Sequence, residues 1–399
     1  MLSCSNSLIS KIEGSVVECT AQMLEEIKVA LNAEWLPFNE AQRIKYKERL
    51  QRWYKLISER EYEEATKMQE KFDCIVCLSH ETELYILFKL IECRLLLGLD
   101  NLKDARKILD SLTKTHSLSE FNDMQLYHYY HNQGLFNYKN NQVSKASDFY
   151  LNAYGIMKCG FEKDIPLYFN IARSYGKLGY CSLAISFLLK VKDLCIVEPN
   201  NFYAPFVDNS LAINYIKTGQ LQLAKKLLEE CLVTAKKDDN KTYIGGIYCN
   251  FGYLYRKDKN YDLAFDYLEK AFDYFEKGST EYLEVLYQKI RCQVDRGSYI
   301  ECPKLISEGK KMSRDNLMYT IMFESLSNII TIKEATSIKY LEKRAIPLLL
   351  KNNLSYVALD YKYFLWEHYM SNDKNGKASD IANDICKMHK DMFKGGVVE

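Results

Sequence analysis

Asn132, Asn170 and Asn250 each stand fourteen residues before an alanine, Ala146, Ala184 and Ala264, inside similar phrases. Asn209 lies one residue before the matching slot of its own phrase, which Ser210 fills. A primary amide carries both a donor and an acceptor, so one Asn can pair with the N–H and the C=O of a single peptide unit. A row of them would hold an extended peptide main chain whatever its side chains. Arg94 and Arg173 share a second position, eleven residues before Ala105 and Ala184. A guanidinium there suits a carboxylate, at a peptide terminus or on an acidic side chain. Tyr215 and Tyr253, with Tyr203 and Phe206, could shape side-chain pockets. The plainer alternatives are that each Asn bonds a neighbouring helix and that each Arg is solvated.

Other chemistry is sparse. There is no Gly-rich phosphate loop, no nucleophile motif and no ligand-spaced cluster among the six histidines. His128 and His131 share one helical stretch, but the aromatic phrase "LYHYYHNQG" suits packing. Cys74 and Cys77 make the one tight pair among thirteen cysteines, and without a second pair it reads as core packing. These observations argue against an enzyme acting on a small molecule, and they imply no metal and no cofactor.

The elements that must position the amides come from a repeat. "YFNIARSYGKLGYCSLAISFLLK" is answered by "VDNSLAINYIKTGQLQLAKKLLEE" and "YCNFGYLYRKDKNYDLAFDYLEKA", with Ala184, Ala224 and Ala264 forty residues apart and Tyr175, Tyr215 and Tyr255 in step. Backwards, the register passes through Ala146, Ala105 and Ala65. Forwards it weakens to Cys302, Ser337 and Ala378, which gives about nine units. Small residues (Cys93, Gly134, Ala172, Ala212, Gly252) precede the marked alanines by twelve, so two helix backbones can approach closely. The breakers "KLGY", "KTGQ" and "KDKN" divide each unit into two helices. A single hairpin cannot bury its apolar face, whereas a stack shares one core along its length. The pattern resembles the tetratricopeptide repeat, and the resemblance implies an all-α fold, a right-handed superhelix of about nine tetratricopeptide-like hairpins over residues 39–390, with 391–399 a tail.

Composition agrees with a chain that folds throughout: 399 residues, 47% hydrophobic and 27% charged, with a formal charge of only +1. Such balance argues against a surface built uniformly for nucleic acid or anionic membrane, so any DNA contact must be local. No apolar run approaches the ~18 residues of a membrane span. With no signal-peptide pattern at residues 1–20, the cysteines read as reduced thiols of a cytoplasmic protein.

Residues 1–38 read as helix, turn, helix. "SNSLISKIEGS" and "TAQMLEEIKVALN" resemble the reading helix, and the helix after it, of a Cro/repressor type DNA-binding domain. That resemblance implies that Ser5, Asn6, Ser7 and Lys11 touch bases or phosphates. The helices that precede a reading helix in that domain are not in the chain. The expectation is therefore that residues precede Met1 in the native protein, or that the output passes through a protein partner.

A Cro-like reader followed by about nine long tetratricopeptide-like units resembles the cytosolic peptide-pheromone receptors of Gram-positive bacteria. That group contains the neutral-protease regulator, the phospholipase C regulator, the Rap phosphatases and the phage arbitrium receptors. The phrase "LQRWYKLISEREYEEA" and the row of Asn are most similar to the neutral-protease regulator branch. The resemblance implies a quorum-sensing transcription regulator whose signalling peptide sits in the concave groove and switches binding to promoter DNA. It also implies a homodimer. In the alternative the chain acts on a sporulation response regulator in the manner of a Rap phosphatase, through residues 41–71, with Gln42, Gln51 and Gln69 as candidates only by region.

Overall fold

The computed structural model describes residues 38–70, 72, 81–158, 164–197, 202–332 and 335–394. Ser5, Asn6, Ser7, Lys11 and the Cys74–Cys77 pair lie outside them. The described residues form α-helices and no strand. In chain order these are α1 (Glu40–Ser58), α2 (Tyr62–Glu70), α3 (Thr82–Gly98), α4 (Leu102–Thr115), α5 (Asp123–Lys139) and α6 (Val143–Lys158). Next come α7 (Ile165–Leu178), α8 (Cys181–Val197), α9 (Ala204–Lys217), α10 (Leu221–Lys237), α11 (Lys241–Lys257) and α12 (Tyr261–Phe272). Then follow α13 (Thr280–Arg296), α14 (Cys302–Met312), α15 (Leu317–Ile330), α16 (Ala335–Tyr340), α17 (Ile346–Lys351), α18 (Ser355–Ser371) and α19 (Asn375–Lys394). The chain divides within α5 into two compact units, Met1–Asn132 and Gln133–Glu399.

The all-α hairpin repeat expected from the sequence is the one observed. Every marked position is buried, the weakly matching ones included: Ala65, Ala105, Ala146, Ala184, Ala224, Ala264 and Cys302 are 0% exposed, Ala378 1% and Ser337 2%. Five residues before these positions the chain turns with positive φ at Gly179, Gly219 and Gly297, and equally at Arg60, Asp100, Asn141, Lys259 and Asp373. Glycine takes that conformation without strain, while a residue with a Cβ costs about 1 kcal/mol or more. The turn geometry is therefore common to the hairpins even where no glycine marks it.

In the first unit, α1 starts with a reciprocal cap: Gln42 N–H donates to Asn39 Oδ1, and Asn39 N–H to Gln42 Oε1. Its inner face sends Tyr46, Leu50, Trp53 and Ile57 into a core with Ala65, Phe72, Leu84, Phe88, Ile91 and Leu95. In the second unit a long cluster runs from Leu283 to Leu365, and another surrounds Phe251 and Tyr255. Between α16 and α17 the helix widens into a π-turn, Leu341–Ala345, in which Ile346 N–H donates to Leu341 O. Pro347, just after it, has no N–H to give the preceding turn, which accounts for the extra residue there.

Close approach inside a hairpin can be tested at Gly134. A Cβ at this position would lie 2.4 Å from the ring of Tyr150, which is fully buried on α6. The ring must shift within a buried environment to admit the methyl, so Gly134→Ala should destabilise the second unit by about 1–3 kcal/mol. Urea denaturation followed by circular dichroism checks this, and an unchanged midpoint would show that Tyr150 relaxes freely.

Candidate functional site

In the first unit Asn132 is 1% exposed, and its Nδ2 donates to the Leu90 carbonyl at 2.7 Å, which fastens α5 to α3. Arg94 is 5% exposed and donates from Nη2 to His131 Nε2 at 3.0 Å. Both polar groups are turned into the packing: Asn132 bonds a neighbouring helix, and Arg94 is neither solvated nor open to a ligand carboxylate. An Nε2 that accepts from a guanidinium carries no proton, and burial, with Arg94 close by, holds both His131 and His128 well below the ordinary histidine range.

The second unit presents its share of the row differently. The first helices of successive hairpins are α7, α9 and α11. Asn170 is buried on α7, while Arg173, one turn on, is exposed. The Arg173 guanidinium lies 4.9 Å from the centre of the Tyr138 ring and 5.9 Å from that of Phe169, an aromatic bed that limits its wandering without neutralising it.

Asn209 on α9 and Asn250 on α11 are both half-buried, and Asn250 Nδ2 donates to Asn209 Oδ1 at 2.8 Å. That single bond pairs two neighbouring helices. It leaves Asn209 Nδ2, a donor, and Asn250 Oδ1, an acceptor, with no other partner among the described residues. Together they offer what one peptide unit needs: an N–H for its carbonyl and a carbonyl for its N–H.

Tyr215 is half-buried against the cluster around Phe251. Tyr253 is half-buried too, with the Arg256 guanidinium 5.3 Å from its ring centre, and burial pushes its hydroxyl pKa up.

One recurrence escaped the sequence reading although its signal was in plain view. Lys177, Lys217 and Lys257 are forty residues apart and open the breakers "KLGY", "KTGQ" and "KDKN". Each lies in the last turn of its helix, where the backbone dipole favours a cation. Lys177 Nζ donates to Asn141 Oδ1 at 2.8 Å and Lys217 Nζ to the Gly176 carbonyl at 2.9 Å. Lys257 Nζ lies 3.3 Å from Asp360 Oδ1, on α18.

Asp360 belongs to a wider network. Its Oδ2 lies 3.3 Å from Arg291 Nη2, Arg291 also reaches Asp295 at 3.2 Å, and Asp295 pairs with Arg256. Burial by itself would raise the Asp360 pKa, but Arg291 and Lys257 outweigh it and hold the carboxyl below its usual range.

Among the described residues no group of three or more His, Cys, Asp and Glu could hold a metal ion. No described helix is long and apolar enough to cross a membrane.

A family model for the tetratricopeptide repeat matches residues 245–277, the α11/α12 hairpin. A solved structure of a Rap protein complexed with competence and sporulation factor is similar with a TM-score of 0.73 and 18% identity, covering 88% of this chain and 99% of that one. This chain has the fold of Rap and NprR. NprR in complex with its cognate peptide NprX is similar at TM-score 0.69 and 21% identity, over 86% of this chain and 99% of that one. The apo form of the quorum sensor NprR from B. thuringiensis is similar at 0.66 and 20% identity, over 86% and 98%. No curated protein sequence matches the chain. At these identities the Rap and NprR likeness concerns the fold, and the chemistry must be argued from this chain's own side chains.

Proposed function

We propose that the chain is a receptor for a short linear signalling peptide, held along α7, α9 and α11 of the second unit. In this reading, occupancy switches what the regulator engages: promoter DNA through residues 1–38, with Ser5, Asn6, Ser7 and Lys11 at the contact. The observation that carries the reading is the Asn209–Asn250 pair, which offers an unused donor and an unused acceptor on adjacent helices. Arg173, exposed on its aromatic bed, would set the direction of the peptide by taking a carboxylate. Two structures of the same fold are complexes with a peptide or with a competence and sporulation factor, which supports the peptide-binding reading.

The test is selection of linear five- to seven-residue peptides on the full chain, followed by calorimetry with the tightest one. Asn250→Ala removes both the acceptor and the bond that holds Asn209, and should weaken binding by at least ~1 kcal/mol, about fivefold, with helix content unchanged. Equal affinity of the variant and the parent for the selected peptide would defeat the proposed role of the pair.

A further inference from the structure

In a stack of helical hairpins each hairpin needs only its neighbours. The hairpin α18/α19 does more. Tyr356, Asp360 and Phe364 are spaced by four and form one stripe on α18. The Tyr356 hydroxyl meets Cys181 Sγ of α8 at 3.0 Å, and its ring lies 4.8 Å from Lys217 Nζ of α9. Asp360 takes Lys257 of α11 and Arg291 of α13, and the Phe364 ring lies 4.9 Å from the Arg291 guanidinium. These partners precede the stripe by up to 175 residues, and the stack does not require them.

The charges there do not balance. Arg256, Lys257 and Arg291 face two carboxylates, Asp295 and Asp360. The side chains of Arg256 and Arg291 are only 3% and 4% exposed. Arg256 Nε and Arg291 Nε and Nη1 are buried without a hydrogen-bond partner among the described residues. Buried donors left unmet are costly, and a further acceptor would relieve that cost. Asp360 satisfies the cluster loosely: both its contacts are 3.3 Å, one oxygen to each cation, against the 2.7–2.9 Å of a well-made charged hydrogen bond.

We propose that Arg256, Lys257 and Arg291 form a carboxylate-binding site that Asp360 fills from within, and that an acidic group on the inner-face ligand competes with Asp360 for it. The inference rests on the peptide-receptor reading and names the ligand chemistry at one end of that face. Asp360 thus acts as a built-in stand-in for the ligand carboxylate. Its displacement frees α18 and α19 from the row of lysines, so that occupancy of the face is conveyed to the C-terminal hairpin.

The experiment compares the full chain with D360N and with D384N, which removes the Lys362–Asp384 pair of the same hairpin and leaves the lysine row untouched. Two readouts are taken: amide exchange of α18 and α19 by mass spectrometry, and NMR titration with the tripeptide Asp-Asp-Asp, with Asn-Asn-Asn as the uncharged control. D360N should speed exchange in α18 and α19 by about fivefold or more. It should also bind Asp-Asp-Asp about fivefold more tightly than the parent chain, with no gain for Asn-Asn-Asn and no such changes in D384N.

Tripeptide affinity within twofold of the parent, no binding to either protein, or the same behaviour in D384N would each overturn the proposal. Should D360N fail to fold by circular dichroism, Lys257→Gln replaces it, with faster α18 exchange expected and no gain for Asp-Asp-Asp. A gain there would overturn the assignment. The tripeptide titration does not involve the Asn209–Asn250 pair, so failure here is distinguishable from failure of the receptor reading, which Asn250→Ala tests separately.

Discussion

Trp53→Ala should destabilise the first unit by about 3–5 kcal/mol, a large part of what a domain of that size possesses. Trp53 is fully buried on α1. Its ring centre lies 5.0 Å from that of Phe72 and 5.2 Å from that of Phe88, so it joins the turn after α2 to α3. Its Nε1–H donates to the Ala65 carbonyl at 2.9 Å, at the marked alanine of the first hairpin. Truncation therefore removes apolar burial, two ring contacts and a hydrogen bond whose acceptor is left inside. Trp53→Phe should cost less, since it keeps an aromatic ring and loses only part of the burial along with the Nε1–H bond to the Ala65 carbonyl. Urea denaturation followed by far-ultraviolet circular dichroism measures both variants, and a loss under about 1 kcal/mol for Trp53→Ala would show that the core collapses around the gap.

Acid should weaken the same unit well before carboxylates titrate. Burial, with Arg94 close by, depresses His128 from 6.5 to about 3 and His131 well below its ordinary value. The sign follows from proton counting. Between the folded and unfolded pKa values the unfolded chain binds protons that the folded chain refuses, so stability is full above about pH 6.5 and falls as pH drops. Each histidine takes away about 1.4 kcal/mol per pH unit in that window, or about 4 kcal/mol for the two together at pH 5.

The geometry agrees with the sign. His131 Nε2 must accept from Arg94, and His128 is packed edge-on against Tyr54 at 4.7 Å. Thermal melting at pH 7 and pH 5 checks the prediction. His131→Gln, whose amide oxygen can still accept from Arg94, should flatten the pH dependence by about half. A parent chain as stable at pH 5 as at pH 7 would refute it.

Both effects concern side chains that the repeat register placed but did not explain. The register itself was legible because it is local. The marked alanines, the small residues twelve before them and the turns five before them answer to contacts inside one hairpin, where helical period and close approach dictate residue type. Gly134 against Tyr150 and Ala264 at 0% exposure follow from that alone. Even Cys302 and Ser337, which are not alanine, keep the slot because the slot admits other small side chains.

What covers each helix face was decided only by the tertiary structure. Asn132 and Asn170 share a repeat position, as do Arg94 and Arg173. Yet Asn132 and Arg94 bond within the first unit, to Leu90 and His131, while Arg173 of the second unit lies open above Tyr138. Periodicity assigns a residue to a face of its helix, but the partner that closes over that face comes from elsewhere in the chain. The Asn209–Asn250 bond depends in the same way on how far α9 and α11 are rotated against each other, which no spacing of residues states.

The lysines at 177, 217 and 257 make the point most sharply. Their spacing and their place at helix ends can be read from the chain, and the helix dipole explains why a cation belongs there. That Asp360, 103 residues after Lys257, comes to rest on the third of them is a long-range event. It follows from α18 lying against α11 and α13, with the charge of Arg291 drawing its carboxylate in, and a one-dimensional pattern carries no record of it.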